Sequence, residues 1–201
     1  MAVVALVLTF AWLALVAGVP AYRRHRRTGD VPVPMRVERG SAQWWARRIA
    51  VIGLLLAFAA PLAELAGLGA IGPLDHAIVR VAGFVLSLVG IAGVLAAQWA
   101  MGDSWLPDID PRAPTRLVTT GPFGLVRNPV LSCMAMTELG LALMVPNALA
   151  AAMLAAFVAS MQVQVRLVEE PFLGRLHGDD YRRYASRTGR FLPWLGRLPD
   201  R

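Results

Sequence analysis

The sequence has no lysine, a single cysteine and few charged residues. Asp, Glu, Lys and Arg make up 16% of the 201 residues, whereas hydrophobic residues make up 57% and the mean hydropathy is +0.55. So few charges cannot cover the surface of a water-soluble domain of this size. The lone Cys133 excludes an intrachain disulfide and a cysteine-based zinc cluster. The composition therefore indicates a protein embedded in a lipid bilayer.

Four apolar regions are long enough to cross a bilayer, namely residues 3–19, 49–70, 78–100 and 130–165. The last region is about twice the length of one crossing, and the Pro146-Asn147 pair in its middle is a turn signal. We therefore predict an all-α polytopic membrane protein with five transmembrane helices, the last two forming a helical hairpin. A cytoplasmic amphipathic segment, rich in arginine and aromatic residues, is expected to follow them on the membrane surface.

The arginines lie in every second loop between these apolar regions. Eight fall between residues 23 and 48, three between 112 and 127 and eight from 166 onward, while the intervening tips have almost none. Loops rich in positive charge remain on the cytoplasmic side of a membrane. We predict an integral protein of a bacterial inner membrane, with its N-terminus outside and its C-terminus in the cytoplasm. Because topology accounts for the net charge of +7, no nucleic-acid partner is expected.

The pair Asn128-Pro129 predicts the start of the fourth transmembrane helix. Asparagine at the N-cap accepts a hydrogen bond from a free amide, and proline at the first helical position gives up no needed donor. The remaining amides and the positive end of the helix dipole suit a ligand carboxylate. Taken alone, the pattern is more typical of a capped helix that binds nothing than of a binding site.

An antiparallel hairpin with its tip near residue 146 returns the chain to the level of Arg127 and Asn128 near residue 166. This geometry predicts that Arg166, Glu169 and Glu170 lie beside the start of the fourth helix. Helical spacing also predicts that the three side chains share a face with Gln162. The alternative is an interfacial salt bridge that anchors the span.

Five short stretches of the second half of the chain carry a resemblance to a known family. They are LVTTGPF at 117–123, RNP at 127–129, Arg166 with Glu169-Glu170, GDDY at 178–181 with Tyr184, and RFLPW at 190–194. In their order and spacing, residues 102–194 resemble the superfamily of isoprenylcysteine carboxyl methyltransferases and phospholipid methyltransferases. The resemblance implies a three-helix region at 1–100 and a catalytic region at 101–201.

The resemblance also implies S-adenosylmethionine as cofactor and a role for particular residues. Arg166, Glu169 and Glu170 would be catalytic, with Arg166 facing the methyl acceptor. The cofactor would be wrapped by Thr115, Arg116, Leu117, Val118, Phe123, Arg127, Asn128, Pro129, Val130 and Leu131, with Glu170 completing the pocket.

The chain departs from the family pattern Arg-His-Pro-x-Tyr-x-Gly at three positions, which hold Asn128, Leu131 and Cys133. Asparagine does not accept a proton near neutral pH, so this position is excluded as a general base. The departures are compatible with weaker cofactor binding, with an unusual acceptor, or with a member that has lost catalysis.

Glu138 lies in the middle of the predicted fourth span, about 14 Å along the helix axis from Pro129. An acid at this depth is either a substrate contact or a hydrogen-bonded packing residue. Asp103, Asp108 and Asp110 precede the cofactor-like segment, but no nearby histidine supports a metal site there.

The sequence thus predicts methyl transfer from S-adenosylmethionine to a lipophilic acceptor at the cytoplasmic membrane face. The acceptor could be an isoprenylcysteine-like carboxylate, a lipid amine or a small lipophile. One alternative is a non-catalytic membrane accessory protein that keeps the fold. A lipid reductase is a further alternative, although the sequence has no Gly-x-Gly-x-x-Gly dinucleotide fingerprint.

Overall fold

The computed structural model of the protein describes residues 1–28, 37–101 and 117–199, and the regular structure within these ranges is helical. The helices are α1 (Ala2–Leu13), α2 (Val19–Thr28), α3 (Ala42–Leu65), α4 (Ala77–Met101), α5 (Pro122–Leu125), α6 (Pro129–Met144), α7 (Ala148–Gln164) and α8 (Glu170–Arg187). A 3-10 turn, Gly72–Leu74, precedes α4. Two π-helical turns, Ala14–Gly18 and Val165–Glu169, join α1 to α2 and α7 to α8 without a break.

Three helical stretches are long and apolar enough to cross a membrane: Ala42–Leu65, Ala77–Met101 and Ala148–Arg187, which runs from α7 into α8. Two shorter apolar helices, Ala2–Val16 and Pro129–Met144, occupy the other two predicted positions. With 16 residues, α6 rises about 24 Å, somewhat less than the roughly 30 Å of a bilayer core. The all-α polytopic membrane fold is therefore confirmed, with three of its five apolar segments at full length.

The turn between α6 and α7 lies where the Pro146-Asn147 pair predicts it. Asn147 caps α7 by accepting a hydrogen bond from the Ala150 amide at 3.0 Å. Its Nδ2 atom donates to the Ala60 carbonyl of α3 at 2.9 Å. The predicted helical hairpin is thus confirmed, and its tip is tied to a neighbouring helix.

Helix α4 packs against α6 through small side chains. A Cβ atom built on Gly83 would lie 2.6 Å from the Gly140 carbonyl oxygen and 2.9 Å from the Met144 amide nitrogen. Only glycine allows the two backbones to approach this closely, which is typical of helix pairs within a bilayer. This contact fixes the position of α6 relative to α4.

Helix α3 packs along α7, and the Ser160 hydroxyl donates to the Ala46 carbonyl at 2.9 Å. Helix α1 covers α3 and α6 with a buried face formed by Ala2, Ala5 and Thr9. Helices from the predicted regions 1–100 and 101–201 are therefore packed together, and their division into two regions stays a prediction.

The bundle has two distinct ends. At the tip end, the Ile71 amide donates to the Pro146 carbonyl at 2.6 Å. This hydrogen bond joins the α3–α4 connection to the α6–α7 connection. Arg80 donates there to Glu64 Oε1 at 2.8 Å, to Asp75 Oδ1 at 2.9 Å and to the Met144 carbonyl at 2.9 Å. The opposite end, which we call the site end, contains the start of α6, the end of α7 and α8.

Candidate active site

At the site end, the start of α6 meets the chain that leaves α7. The Arg127 guanidinium donates to Glu170 Oε1 at 2.6 Å, and both side chains are buried, with exposed fractions of 2% and 9%. The two residues are 43 positions apart and lie on opposite arms of the hairpin. The prediction that the hairpin brings Arg127 and Glu170 together is therefore confirmed.

Glu170 is held by a second arginine. Arg190 donates to Glu170 through Nε, at 2.7 Å from Oε1, and through a terminal nitrogen at 2.8 Å from Oε2. Both oxygens of the buried Glu170 carboxyl are therefore paired with arginine. We call Arg127, Glu170 and Arg190 the arginine–glutamate cluster.

Arg127 also donates to backbone carbonyls of the C-terminal tail. Its acceptors are the carbonyls of Gly196 at 2.9 Å, Ala185 at 3.0 Å and Thr188. One buried side chain therefore fastens the last turn of α8 and the tail that follows it to the start of α6. The two terminal nitrogens of this buried guanidinium thus have four acceptors, which fixes the local geometry, whereas its Nε has no partner in the described part of the chain.

The tail runs alongside the residues that lead into α6. Val126 and Gly189 form an isolated parallel bridge, and the Arg127 amide donates to the Gly189 carbonyl at 2.8 Å. The Ser132 hydroxyl, one turn into α6, donates to the Phe191 carbonyl at 2.7 Å. The tail thus forms one side of the candidate site.

The prediction that Asn128 caps α6 with its side chain is wrong. Asn128 occupies the N-cap position but makes no side-chain cap hydrogen bond. Its Nδ2 atom donates to the Arg190 carbonyl at 3.2 Å, and its amide donates to the same carbonyl at 3.1 Å. The Asn128 side chain therefore contacts the tail and does not cap its own helix.

Two amides of the first turn of α6 consequently have no partner in the described part of the chain. Pro129 has no amide hydrogen, and the Ser132 amide donates to the Asn128 carbonyl at 3.0 Å. The amides of Val130 and Leu131 lie between them, and both residues are half-buried. They present two donors at the positive end of the helix dipole.

Glu169 differs from its neighbour in its partners. Its Oε1 atom accepts a hydrogen bond from Gln164 Nε2 at 3.3 Å, and no described arginine contacts it. The adjacent carboxylates therefore have different surroundings, one held by two arginines and one held weakly by an amide.

Arg166 does not lie beside Glu170 as the spacing predicts. Residues 165–169 form a π-helical turn, in which the spacing of an α-helix no longer applies, and Arg166 is exposed while Glu170 is buried. Arg166 forms no ion pair with either glutamate. The interfacial salt bridge that the sequence offers as an alternative is formed by Glu170 with Arg127 and Arg190, and the role of Arg166 toward an acceptor stays a prediction.

The other predicted site residues are placed as follows. Phe123 and Pro129 are buried, whereas Leu117 and Val118 are half-buried where the described chain resumes. Thr115 and Arg116 lie outside the described residues, as do Asp103, Asp108 and Asp110. Within residues 1–28, 37–101 and 117–199, no group of three or more His, Cys, Asp or Glu could hold a metal ion.

Glu138 lies in the middle of α6 with 4% of its surface exposed, and its Oε2 atom has no hydrogen-bond partner in the described structure. Its role as a substrate contact stays a prediction.

Two residues of this site were not assigned to it from the sequence. Arg190 is the second partner of Glu170, and the Tyr184 hydroxyl donates to the Phe123 carbonyl at 2.6 Å, which holds α5 against α8. Both residues lie in stretches that carry the family resemblance, and this resemblance is the sequence feature from which they could have been assigned to the site.

The fold is that of a polytopic helical membrane protein, and its candidate site residues gather at one end of a hairpin. The chain belongs to the phospholipid methyltransferase family, because residues 78–180, about half of its length, match the family model. The matched region extends from the start of α4 into α8, and so includes the hairpin and Glu170.

A curated relative is the nickel-cobalt-cadmium resistance protein NccN of Alcaligenes xylosoxydans xylosoxydans. It is 36% identical over 111 residues, which cover 55% of this chain and 51% of the relative. The chain thus spans about half the length of the curated relative it matches. No solved structure matches the chain significantly.

Proposed function

We propose that the protein transfers a methyl group from S-adenosylmethionine to a lipophilic acceptor at the membrane surface where α6 begins. One observation carries the proposal: the Arg127–Glu170 contact joins the two separated family motifs at a helix start that retains unpaired amides.

The groups present suit the polar parts of the cofactor. The amides of Val130 and Leu131 would bind its carboxylate at the positive end of α6. Glu169, with one weak hydrogen bond, would accept hydrogen bonds from its ammonium group. When bound, S-adenosylmethionine would supply an electrophilic methyl group, and the protein contributes chiefly by holding the reactants in line.

The two glutamates then have separate tasks. Glu170 is a positioning residue, because both of its oxygens are occupied by Arg127 and Arg190 and it cannot also bind a ligand cation without losing them. Glu169 is the acid that contacts the cofactor. The exposed Arg166 would orient the acceptor at the mouth of the site, and Glu138 would contact the part of it that lies deeper in the bilayer.

The acceptor would enter from the bilayer and the cofactor from the cytoplasm, if the arginine-rich loops lie inside as their charge predicts. An isoprenylcysteine-like carboxylate, a lipid amine and a small lipophile all fit this arrangement.

The test is S-adenosylhomocysteine binding to the detergent-solubilised protein, measured by calorimetry. Glu169→Gln is expected to weaken binding at least about tenfold, as the loss of a charge-assisted hydrogen bond implies. Asp179→Asn removes an exposed acid of α8 and is the matched control, with binding unchanged. Saturable binding that Glu169→Gln leaves intact would contradict the assignment of Glu169.

Activity is tested with radiolabelled S-adenosylmethionine and a crude lipid extract. Intact protein is expected to label a lipid-soluble product, and Arg166→Ala is expected to reduce labelling while leaving S-adenosylhomocysteine binding unchanged. This split between binding and turnover would distinguish an acceptor-facing arginine from a structural one.

A non-catalytic accessory role is a second candidate, favoured by the use made of Asn128. Where the family has histidine, this chain has an asparagine whose side chain only fastens the tail. The relative NccN carries a resistance name rather than an enzyme name. Folded protein that binds no S-adenosylhomocysteine at any concentration would favour this second candidate.

A further inference from the structure

The tail turn, residues 192–196, exposes more apolar surface than a water-facing loop should. The exposed fractions are 58% for Leu192, 75% for Trp194 and 62% for Leu195. Trp194 also has a φ of 66°, a left-handed conformation that a bulky side chain rarely adopts. The backbone is therefore held in an unfavourable conformation that keeps these apolar side chains outside the fold.

The position of the tail turn follows from the hydrogen bonds just before it. The Arg190 carbonyl accepts from Asn128, and the Phe191 carbonyl accepts from Ser132 Oγ in the first turn of α6. Because α6 is one of the apolar membrane segments, its first turn marks the level at which the chain enters the bilayer. The tail turn is thus presented at the membrane surface.

Other tryptophans lie at the same end of the bundle. Trp99 is exposed at the end of α4, and Trp45 is exposed at the start of α3. Helices α4 and α6 run antiparallel, so the end of α4 lies at the level where α6 begins. Tryptophan is enriched at this depth because its ring is buried among lipid headgroups while its N–H group remains hydrated.

Exposed arginines flank the tail turn on both sides. Arg187 ends α8, and Arg197 follows the turn. Neither forms an ion pair with the described acids. Guanidinium groups beside apolar side chains at a membrane surface are complementary to anionic lipid headgroups.

We propose that the tail turn is a membrane anchor that inserts Leu192, Trp194 and Leu195 into the headgroup region of an anionic leaflet. The inference is independent of any catalytic activity. The turn is closed by a hydrogen bond from the Arg190 amide to the Leu195 carbonyl at 2.7 Å, and Arg127 holds its Gly196 carbonyl. Insertion therefore ties the arginine–glutamate cluster to the bilayer on a second side, in addition to α6.

Spin labels measure the depth of the turn directly. Cys133 is the lone cysteine, so a Cys133→Ala background allows one new cysteine at a time at position 192, 194 or 195. Each labelled protein is reconstituted into vesicles of phosphatidylcholine and phosphatidylglycerol. Collision with oxygen, which concentrates in lipid, is compared with collision with a water-soluble nickel chelate. Asp180→Cys, in an exposed acidic turn of α8, is the matched control.

Labels at the tail turn are expected to collide with oxygen more often than the Asp180→Cys label does, and with the nickel chelate less often. Equal nickel access at the tail turn and at position 180 would overturn the proposal. Low access to both reagents, together with dipolar broadening between labels, would overturn it in favour of contact with a second copy. The same accessibility pattern at any two of the three positions decides the proposal, so the test stands even if one variant fails to fold.

Discussion

Both ends of the helix bundle are held by arginine–carboxylate ion pairs, but the ratio of arginines to acids is opposite at the two ends. At the tip end, one arginine, Arg80, serves the two acids Glu64 and Asp75. At the site end, one acid, Glu170, serves the two arginines Arg127 and Arg190. The tip end therefore keeps an excess of negative charge and the site end an excess of positive charge.

This difference in charge distinguishes the tip end, where the ion pairs only hold helices together, from the site end, which is the candidate binding site. Beside the positive excess at the site end lie the unpaired amides of Val130 and Leu131 and the weakly held Glu169. Donors and an acceptor are thus available together, as a zwitterionic ligand requires. At the tip end, by contrast, Asn147 caps the start of α7 by accepting a hydrogen bond from the Ala150 amide.

Removing the arginine at the site end should have the largest effect. Arg127→Met leaves Glu170 with one arginine partner and removes the hydrogen bonds to the Ala185, Thr188 and Gly196 carbonyls, of which Ala185 keeps the Leu198 amide as a donor. We therefore expect a loss of about 3 to 5 kcal/mol in the free energy of unfolding. Unfolding is measured by titrating the solubilised protein with a denaturing detergent.

Arg182→Met is the control for this change, because Arg182 forms only an exposed ion pair with Asp179 on α8. Its cost should be at most about 0.5 kcal/mol. Similar losses for the two variants would show that the arginine–glutamate cluster does not hold the tail.

Removing the arginine at the tip end should cost less and should leave ligand binding intact. Arg80→Met removes partners from Glu64 and the Met144 carbonyl, but Asp75 is half exposed and can be solvated by water. We expect a loss of about 1 to 3 kcal/mol in the free energy of unfolding. S-adenosylhomocysteine binding should be unchanged, and a loss of binding would mean that the two ends are coupled.

Acid should lower the stability that the site end contributes, by a smaller amount that grows as the pH falls. The ion pairs of Glu170 with Arg127 and Arg190 need an ionised carboxylate, so their contribution to stability is lost once acid protonates it. The stability difference between the protein and Glu170→Gln should therefore shrink on acidification. A difference that stays constant from neutral to acidic pH would contradict the assigned charge state.

Much of the fold could be predicted from the sequence, because membrane crossings depend on local composition. The runs around α3 and α4, the Pro146-Asn147 tip and the return of Glu170 to Arg127 all follow from span length and turn chemistry. The structure of the tail does not follow from these rules. Arg190 reaches Glu170 across 20 residues, and Asn128 turns to the Arg190 carbonyl instead of capping its own helix. Such long-range hydrogen bonds leave no periodic pattern in the sequence.

The exposed position of Arg166 was missed for a different reason. Four-residue spacing predicts a common face only where the helix is regular, and apolar sequence on all sides of α7 gives no sign of the π-helical turn that follows it. The identity of the residues was therefore sufficient to find the site, but not to decide which way each side chain points.

That π-helical turn gives the end of the chain its orientation. Five residues, Val165–Glu169, occupy a stretch in which hydrogen bonds skip one residue further than in an α-helix. If the same sequence were wound as a regular α-helix, all that follows would be rotated by about 100°. Glu170 and Tyr181 would then turn away from the interior they now occupy, so this one turn sets the orientation of α8 and of the tail that follows it.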